Sequence, residues 1–163
     1  LLAMASPREE EAPPAPEEAS RGSGRVLVVD DEEVIRQFAS VILRDLGYDP
    51  VGVADGQEAL EYYRAHPGKV DLVLLDMVMP KMNGRECFRK LKALDPKVRA
   101  VLSTGYGLNE AAQGMLDEGV AGFIQKPYVA AQLGKAVAAA LGREPRAGPS
   151  GAPYDGADVG RRP

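Results

Sequence analysis

Acidic, hydroxyl and ammonium side chains recur in this sequence directly after short apolar runs. Carboxylates brought close together raise one another's pKa unless a cation joins them, and a hard divalent cation such as Mg²⁺ is the natural partner for oxygen ligands. A lysine ammonium and a threonine hydroxyl beside them would suit the oxygens of a phosphoryl group. The residues are Asp30 and Asp31 after the first run, Asp76 after the third, Thr104 after the fourth and Lys126 after the fifth.

The apolar runs predict strands that alternate with helices. Short apolar runs without strict alternation indicate strands buried on both faces, which is typical of a parallel sheet flanked by helices. Ligands of such sheets bind beyond the carboxyl ends of the strands, so we expect the side chains named above to converge there. The predicted strands are Arg25–Val29, Tyr48–Ala54, Leu72–Leu75, Ala100–Leu102 and Gly122–Ile124.

The segments between the predicted strands, and the segment after the last strand, show the periodicity of helices. The predicted helices cover residues 34–46, 58–65, 87–94, 109–118 and 129–141, and Asn109 is a candidate N-cap for the fourth of them. The fold class is therefore α/β, with five strands and five helices. In the first helix, the residues that recur at the spacing of an amphipathic helix are Val34, Phe38, Val41, Ile42 and Leu46.

Composition divides the chain into a folded region and two flanking segments. Residues 1–24 carry four prolines and an acidic run, and residues 143–163 carry four glycines and four prolines. Such stretches cannot offset the entropy lost on ordering, so we expect residues 25–142 to fold and both ends to be disordered. The net charge of −4 at pH 7 gives no indication of a nucleic-acid partner.

The counts of single residue types exclude several classes of protein. The chain has one cysteine and one histidine, which rules out a disulfide framework and a Cys/His zinc site. The apolar runs have about four residues, whereas a transmembrane helix needs about 20, and no stretch resembles a signal peptide. The sequence therefore predicts a cytoplasmic protein and no membrane contact by this segment.

Five motifs together resemble the receiver domain of bacterial two-component response regulators. The resemblance covers about residues 25–142 and implies a flavodoxin-like, doubly wound parallel sheet in the strand order 2-1-3-4-5. This order places the first and third strands side by side at the switch point, where ligands bind. The motifs are Val28-Val29-Asp30-Asp31-Glu32, Leu74-Leu75-Asp76-Met77-Val78-Met79-Pro80, Asn83-Gly84, Ser103-Thr104-Gly105 and Lys126-Pro127.

The resemblance also implies a role for the acidic residues. Asp76 matches the phosphoacceptor, which takes its phosphoryl group from the phosphohistidine of a histidine kinase or a histidine phosphotransfer domain. Asp31 and Asp76 match direct ligands of a Mg²⁺ cofactor, with Asp30 acting through a water. The backbone carbonyl of Val78 matches a third protein ligand.

The resemblance also implies roles for the other candidate residues in binding the phosphoryl oxygens, in the conformational switch and in the rate of phosphate loss. Thr104 and Lys126 match the groups that hold the phosphoryl oxygens, and Phe123 matches the aromatic residue of the conformational switch. Val78 and Tyr106 match positions that flank the path of the hydrolytic water, where we expect them to slow the loss of phosphate. The alternative for Tyr106 is an ordinary surface residue.

The resemblance predicts a phosphoaccepting signalling domain rather than an enzyme, and two alternatives stay open. One is an interaction module that works without phosphorylation, against which the intact acidic set argues. The other is a haloacid-dehalogenase-type phosphatase, which also uses a strand-end aspartate and Mg²⁺ but needs a second aspartate where this chain has Val78. The domain would act either as a single-domain response regulator or as part of a hybrid histidine kinase, with an unknown downstream protein as its target.

Overall fold

The computed structural model describes residues 22–105 and 110–142. Within this part of the chain, five parallel strands form one sheet in the order β2-β1-β3-β4-β5, and a helix follows each strand, as the resemblance implied. None of the described helices is long and apolar enough to span a membrane. The strands are β1 (Arg25–Val29), β2 (Asp49–Val53), β3 (Leu72–Asp76), β4 (Ala100–Thr104) and β5 (Gly122–Gln125), and the helices are α1 (Glu33–Asp45), α2 (Gly56–Ala65), α3 (Gly84–Leu94), α4 (Glu110–Asp117) and α5 (Ala130–Ala140).

The central strands are buried on both faces, which explains their continuous apolar sequences. Every residue of β3 and β4 is buried, as are the last four residues of β1, whereas the edge strand β2 is partly exposed. Apolar clusters therefore form on both sides of the sheet. Ala59 of α2, Phe88 of α3 and Met115 of α4 pack on one side, and Leu43 of α1 and Leu133 of α5 pack on the other.

Two helices begin at side chains that accept hydrogen bonds from the helix backbone. Asp55 accepts from the N–H of Glu58 at 2.8 Å at the start of α2, and Asn83 accepts from the N–H of Glu86 at 2.9 Å at the start of α3. Such caps satisfy donors that the first turn of a helix leaves unpaired. The N-cap predicted for the fourth helix, Asn109, lies outside the described residues.

The apolar side chains of α1 divide between a core-facing side and an exposed side. The helix packs on the sheet through Ala39, Ile42 and Leu43, followed by Leu46, which are spaced i, i+3, i+4 and i+7 as one helix face requires. The apolar residues at the other predicted positions project from a different side of the helix, so they do not reach the core. The exposed residues are Val34, Phe38 and Val41.

The described chain already contacts the fold before β1 begins. The N–H of Gly22 donates to the carbonyl of Leu46 at 2.9 Å, and the carbonyl of Gly24 accepts from the N–H of Asp49 at 2.8 Å. A side chain at Gly22 would overlap the ring of Tyr48. Residues 22–24 therefore pack with the fold, slightly ahead of the boundary predicted at residue 25, whereas residues 1–21 and 143–163 lie outside the described residues.

Candidate functional site

Three carboxylates meet at the carboxyl end of the sheet, beside the lysine that follows β5. Carboxylate oxygens of Asp30, Asp31 and Asp76 all lie within 4.8 Å of one another. The Lys126 ammonium donates to Asp30 Oδ2 at 2.7 Å and lies 3.4 Å from Asp76 Oδ1. Because β1 and β3 are adjacent in the sheet, the acidic residues that follow β1 lie next to the aspartate that ends β3. The structure thus brings together four of the residues predicted from the sequence.

The two buried carboxylates are fixed, whereas the third is accessible. The N–H of Asp30 donates to the carbonyl of Val53 at 3.3 Å, and Asp30 Oδ1 accepts from the N–H of Glu32 at 2.9 Å. Asp76 belongs to β3 and is as buried as Asp30, while Asp31 is exposed. A ligand arriving from solvent therefore meets Asp31 first and the fixed pair behind it.

The electrostatics of the site leave its negative charge incompletely neutralised. Burial raises the pKa of Asp76 to about 6; the Lys126 ammonium opposes this rise, and the charge of Asp30 adds to it. The pKa of Lys126 is raised in turn, because its hydrogen bond to Asp30 and the charge of Asp76 outweigh the opposing effect of burial. A single ammonium therefore does not compensate these carboxylates, whereas a divalent cation would.

The donor set of this cluster fits a magnesium ion. Asp30, Asp31 and Asp76 contribute only carboxylate oxygens, the hard ligands that Mg²⁺ prefers, and they could hold the ion between them. The Val78 N–H lies 3.4 Å from Asp76 Oδ1, so the segment after β3 runs beside this carboxylate. The role of the Val78 carbonyl as a ligand stays a prediction.

Thr104 lies on β4 and Phe123 on the neighbouring strand β5, which Lys126 follows. Thr104 ends β4 and is buried, and its carbonyl accepts from the N–H of Lys126 at 2.7 Å, which ties the ends of the two strands together. Phe123 pairs in register with Leu102 of β4 and is half-buried against the cluster that contains α4. Tyr106 lies outside the described residues.

Tyr128 is a neighbour of the site that no sequence motif singled out. It is buried, and this burial, followed by the negative charges of Asp30 and Asp76, raises the pKa of Tyr128 to about 12. Its ring lies 6.2 Å, centroid to centroid, from the ring of Phe38 on α1. Tyr128 therefore forms an apolar wall next to the acidic cluster, and its place two residues after Lys126 was the available signal.

Gly84 allows α3 to begin directly against the end of β3. Its N–H donates to the carbonyl of Met77 at 3.0 Å. A Cβ atom at this position would lie 2.9 Å from the Cα of Met77 and closer still to the carbonyl oxygen of Asp76. Because both neighbours are backbone atoms, neither can move aside without shifting the segment that carries Asp76.

The substitution Gly84→Ala is therefore expected to destabilise the fold. Overpacking of this kind costs about 1–3 kcal/mol, which would appear as a lower urea midpoint and, through the displaced Asp76, as weaker phosphoryl labelling. Gly122→Ala is the matched control, because a Cβ there would meet nothing within 4 Å. Equal urea midpoints for the two variants would contradict this explanation.

Comparison with known proteins identifies relatives of the described fold. The family model of the response regulator receiver domain matches residues 26–138. The chemotaxis protein CheY of Thermotoga maritima is 32% identical over 105 residues, which cover 64% of this chain and 86% of that CheY. The sensor kinase CckA of Brucella abortus is 34% identical over 116 residues, which cover 71% of this chain but 12% of the kinase.

A solved structure agrees with these relatives. A chain in the CheX–CheY–BeF3–Mg²⁺ complex from Borrelia burgdorferi is 30% identical and has a TM-score of 0.68, with 71% of this chain and 87% of that chain covered. The family model spans well over half of the present sequence. This chain therefore belongs to the response regulator receiver domains, the phosphoaccepting domains of two-component phosphorelay signalling.

Proposed function

We propose that Asp76 is the residue that accepts the phosphoryl group. The observation that carries the proposal is its position as a buried carboxylate at the end of β3, within 4.8 Å of Asp30 and Asp31 and 3.4 Å from the Lys126 ammonium. In the reaction, an Asp76 oxygen forms a bond to the phosphorus of a phosphohistidine. The phosphorus–nitrogen bond breaks, the imidazole leaves with the electron pair, and an acyl phosphate remains on Asp76.

Two positive charges would offset the negative charge of the phosphoryl group during this transfer: a cation held by the acidic residues, and the lysine ammonium. A magnesium ion held directly by Asp31, Asp76 and the carbonyl of Val78, and through a water by Asp30, would neutralise charge on the phosphoryl oxygens. The Lys126 ammonium, which follows β5 at the same end of the sheet, supplies a further positive charge. The mutual proximity of the three carboxylates supports this assignment, as does the Mg²⁺ of the related CheX–CheY–BeF3–Mg²⁺ complex.

Thr104 and Phe123 are proposed to convert phosphorylation into a change of surface. The Thr104 hydroxyl would turn toward the new phosphoryl oxygens, and the half-buried Phe123 would move into the space that the hydroxyl leaves. This movement would alter the face formed by α4, β5 and α5, where a downstream protein would bind. The hydrogen bond between the Thr104 carbonyl and the Lys126 N–H supports such coupling, because it joins the two strand ends.

The phosphodonor is proposed to be a histidine kinase or a histidine phosphotransfer domain. A contiguous patch of exposed apolar side chains marks a protein-binding surface. Val34 and Phe38 lie one helical turn apart on α1 and are 76% and 48% exposed, and Val129, three residues after Lys126, is 59% exposed. The contact between Phe38 and Tyr128 makes this surface continuous with the wall of the acidic cluster. A docked protein could therefore place its phosphohistidine over Asp76.

The wider setting of the domain is also a proposal. Its reaction modifies its own side chain, so we describe it as a signalling domain that phosphorylates and dephosphorylates itself rather than as an enzyme. It would act in the cytoplasm, where ATP supplies phosphoryl groups to kinases, without direct contact with nucleic acid or membrane. The match to most of a CheY and to a small part of CckA is consistent with a single-domain response regulator or with one domain of a hybrid histidine kinase.

Chemical phosphorylation of the wild-type protein tests the proposed function. With Mg²⁺ and acetyl phosphate, the protein is expected to gain one acid-stable, base-labile phosphoryl group. Borohydride reduction followed by peptide mass spectrometry should locate it on Asp76. Chelation of the metal with EDTA should prevent labelling. A label on any other residue, or equal labelling without a divalent cation, would contradict the proposal.

A further inference from the structure

Arg36 of α1 reaches back to the turn that carries the acidic pair. Its Nη1 donates to the main-chain carbonyl oxygen of Asp30 at 2.7 Å. Strand β2 ends at Val53, whose carbonyl accepts from the N–H of Asp30 at 3.3 Å, and Val53 also forms the last residue pair between β2 and β1. Arg36 therefore supplies a donor to Asp30 at the point where the ladder between β1 and β2 stops.

Gly52 of β2 gives the Arg36 side chain its path to this carbonyl. Gly52 pairs in register with Val28 of β1. A Cβ atom at Gly52 would lie 3.0 Å from Cγ and 3.1 Å from Cδ of Arg36. The aliphatic part of Arg36 therefore lies flat against the β2 backbone, and packing of this kind restricts the rotamers of a long cationic side chain while its head group reaches a polar partner.

With the hydrogen bond from Arg36, every backbone and side-chain polar group of Asp30 has a partner. Its N–H donates to Val53, Oδ1 accepts from the N–H of Glu32, Oδ2 accepts from Lys126, and its carbonyl oxygen accepts from Arg36. The carbonyl belongs to the peptide that joins Asp30 to the next residue, and this peptide is planar. Holding the carbonyl therefore holds the orientation in which the chain enters Asp31.

We propose that Arg36 is a positioning residue for the divalent-cation site, an inference that rests on the proposed function. Asp31 is the exposed member of the acidic cluster, and its side chain has no part in the core to fix it. By orienting the peptide between Asp30 and Asp31, Arg36 holds the Asp31 carboxylate where it can join Asp76 around an ion. Loss of a group that orients a metal ligand weakens metal binding by about 10- to 100-fold.

The charge of Arg36 acts in the opposite direction to its positioning role. A guanidinium close to the site repels Mg²⁺, so removing the charge alone would tighten binding of the ion. Positioning predicts that removing the side chain weakens binding. The sign of the change in Mg²⁺ affinity therefore separates the two effects.

Titration of the full chain with Mg²⁺ by calorimetry tests the proposal. Arg36→Met is expected to raise the dissociation constant by about tenfold, and Arg36→Lys to recover most of the affinity, because an ammonium can also donate to the carbonyl. Gly52→Val should raise the dissociation constant as well, since the new side chain displaces Arg36 while leaving its charge in place. Arg44→Met is the matched control at the exposed end of α1 and should bind like the wild type.

The possible outcomes separate this proposal from the proposed function. Each metal-free variant is first shown by thermal unfolding to be folded at the temperature of the titration. Unchanged or tighter Mg²⁺ binding by Arg36→Met would overturn the positioning role and leave the proposed function intact, whereas a wild type that binds no Mg²⁺ would overturn both. If Arg36→Met does not fold, Gly52→Val decides: a wild-type dissociation constant in that variant overturns the proposal.

Discussion

Replacing Asp76 with asparagine is expected to abolish phosphoryl labelling and, at the same time, to stabilise the metal-free fold. Labelling is lost because a neutral amide offers no carboxylate oxygen that could form an acyl phosphate. Stability rises because the fold opposes ionisation of Asp76, which is buried and lies close to the negative charge of Asp30. A loss of function that accompanies a gain in stability cannot be the consequence of misfolding.

The sign of the stability change follows from the pKa of Asp76. This pKa is about 6 in the fold, against the ordinary 3.8 of an aspartate. The folded state therefore binds the proton more tightly than the unfolded chain, so stability falls as the pH rises from about 4 to about 6 and the penalty is complete at neutral pH. Since each unit of pKa difference is worth about 1.4 kcal/mol, Asp76→Asn should recover about 1–3 kcal/mol at pH 7.

The remaining charges of the site are not left without partners in this variant. Lys126 keeps its hydrogen bond to Asp30 at 2.7 Å, so removing the charge of Asp76 leaves no buried ammonium unpaired. The variant also keeps the size and shape of the side chain. The recovered stability should therefore not be cancelled by a new defect in the core.

Urea unfolding in EDTA at several pH values measures this prediction. The advantage of Asp76→Asn over the wild type should be largest near pH 7 and should vanish near pH 4, where the wild-type carboxyl is protonated. Asp45→Asn, at the exposed end of α1, is the control and should label like the wild type. Stoichiometric labelling of Asp76→Asn, or a lower stability than the wild type at pH 7, would contradict the assignment.

The position of the site was predictable because it follows from strand topology. Once β1 and β3 were recognised as buried parallel strands, their carboxyl ends had to lie at one edge of the sheet, and with them Asp30, Asp31 and Asp76. The apolar runs identified these strands because each is buried on both faces. Local sequence and tertiary packing therefore agree for this part of the fold.

The features that periodicity did not reveal depend on contacts between distant segments. The spacing of Val34, Phe38 and Val41 is helical, but the sheet receives a different face of α1, and the packing of the helix on the sheet decides which face is buried. Similarly, Gly52 has no evident role in a strand until Arg36 is seen to lie across it. Such relations join residues of different elements, and no single segment encodes them.

A second large effect is expected on the lifetime of the phosphorylated protein. An acyl phosphate persists while water is kept from an in-line approach. The Val78 backbone N–H lies 3.4 Å from Asp76 Oδ1, and the Val78 side chain is 71% exposed and offers no amide or carboxylate to orient that water. We predict that Tyr106 adds bulk over the site. The double variant Val78→Asn/Tyr106→Glu should lose phosphate roughly ten- to a hundredfold faster, which corresponds to about 1.4–2.7 kcal/mol in the barrier.

Phosphate release from the purified phosphoprotein, timed after removal of the donor, measures this lifetime. Val41→Asn is the control, because it places the same polar side chain at another exposed valine, on α1, and it should release phosphate at the wild-type rate. The effect should be confined to the rate, since the exposed Val78 side chain does not belong to the buried core and the phosphoacceptor is unchanged. A double variant that loses phosphate no faster than the wild type would show that these two side chains do not control access of water, and Tyr106 would then be an ordinary surface residue.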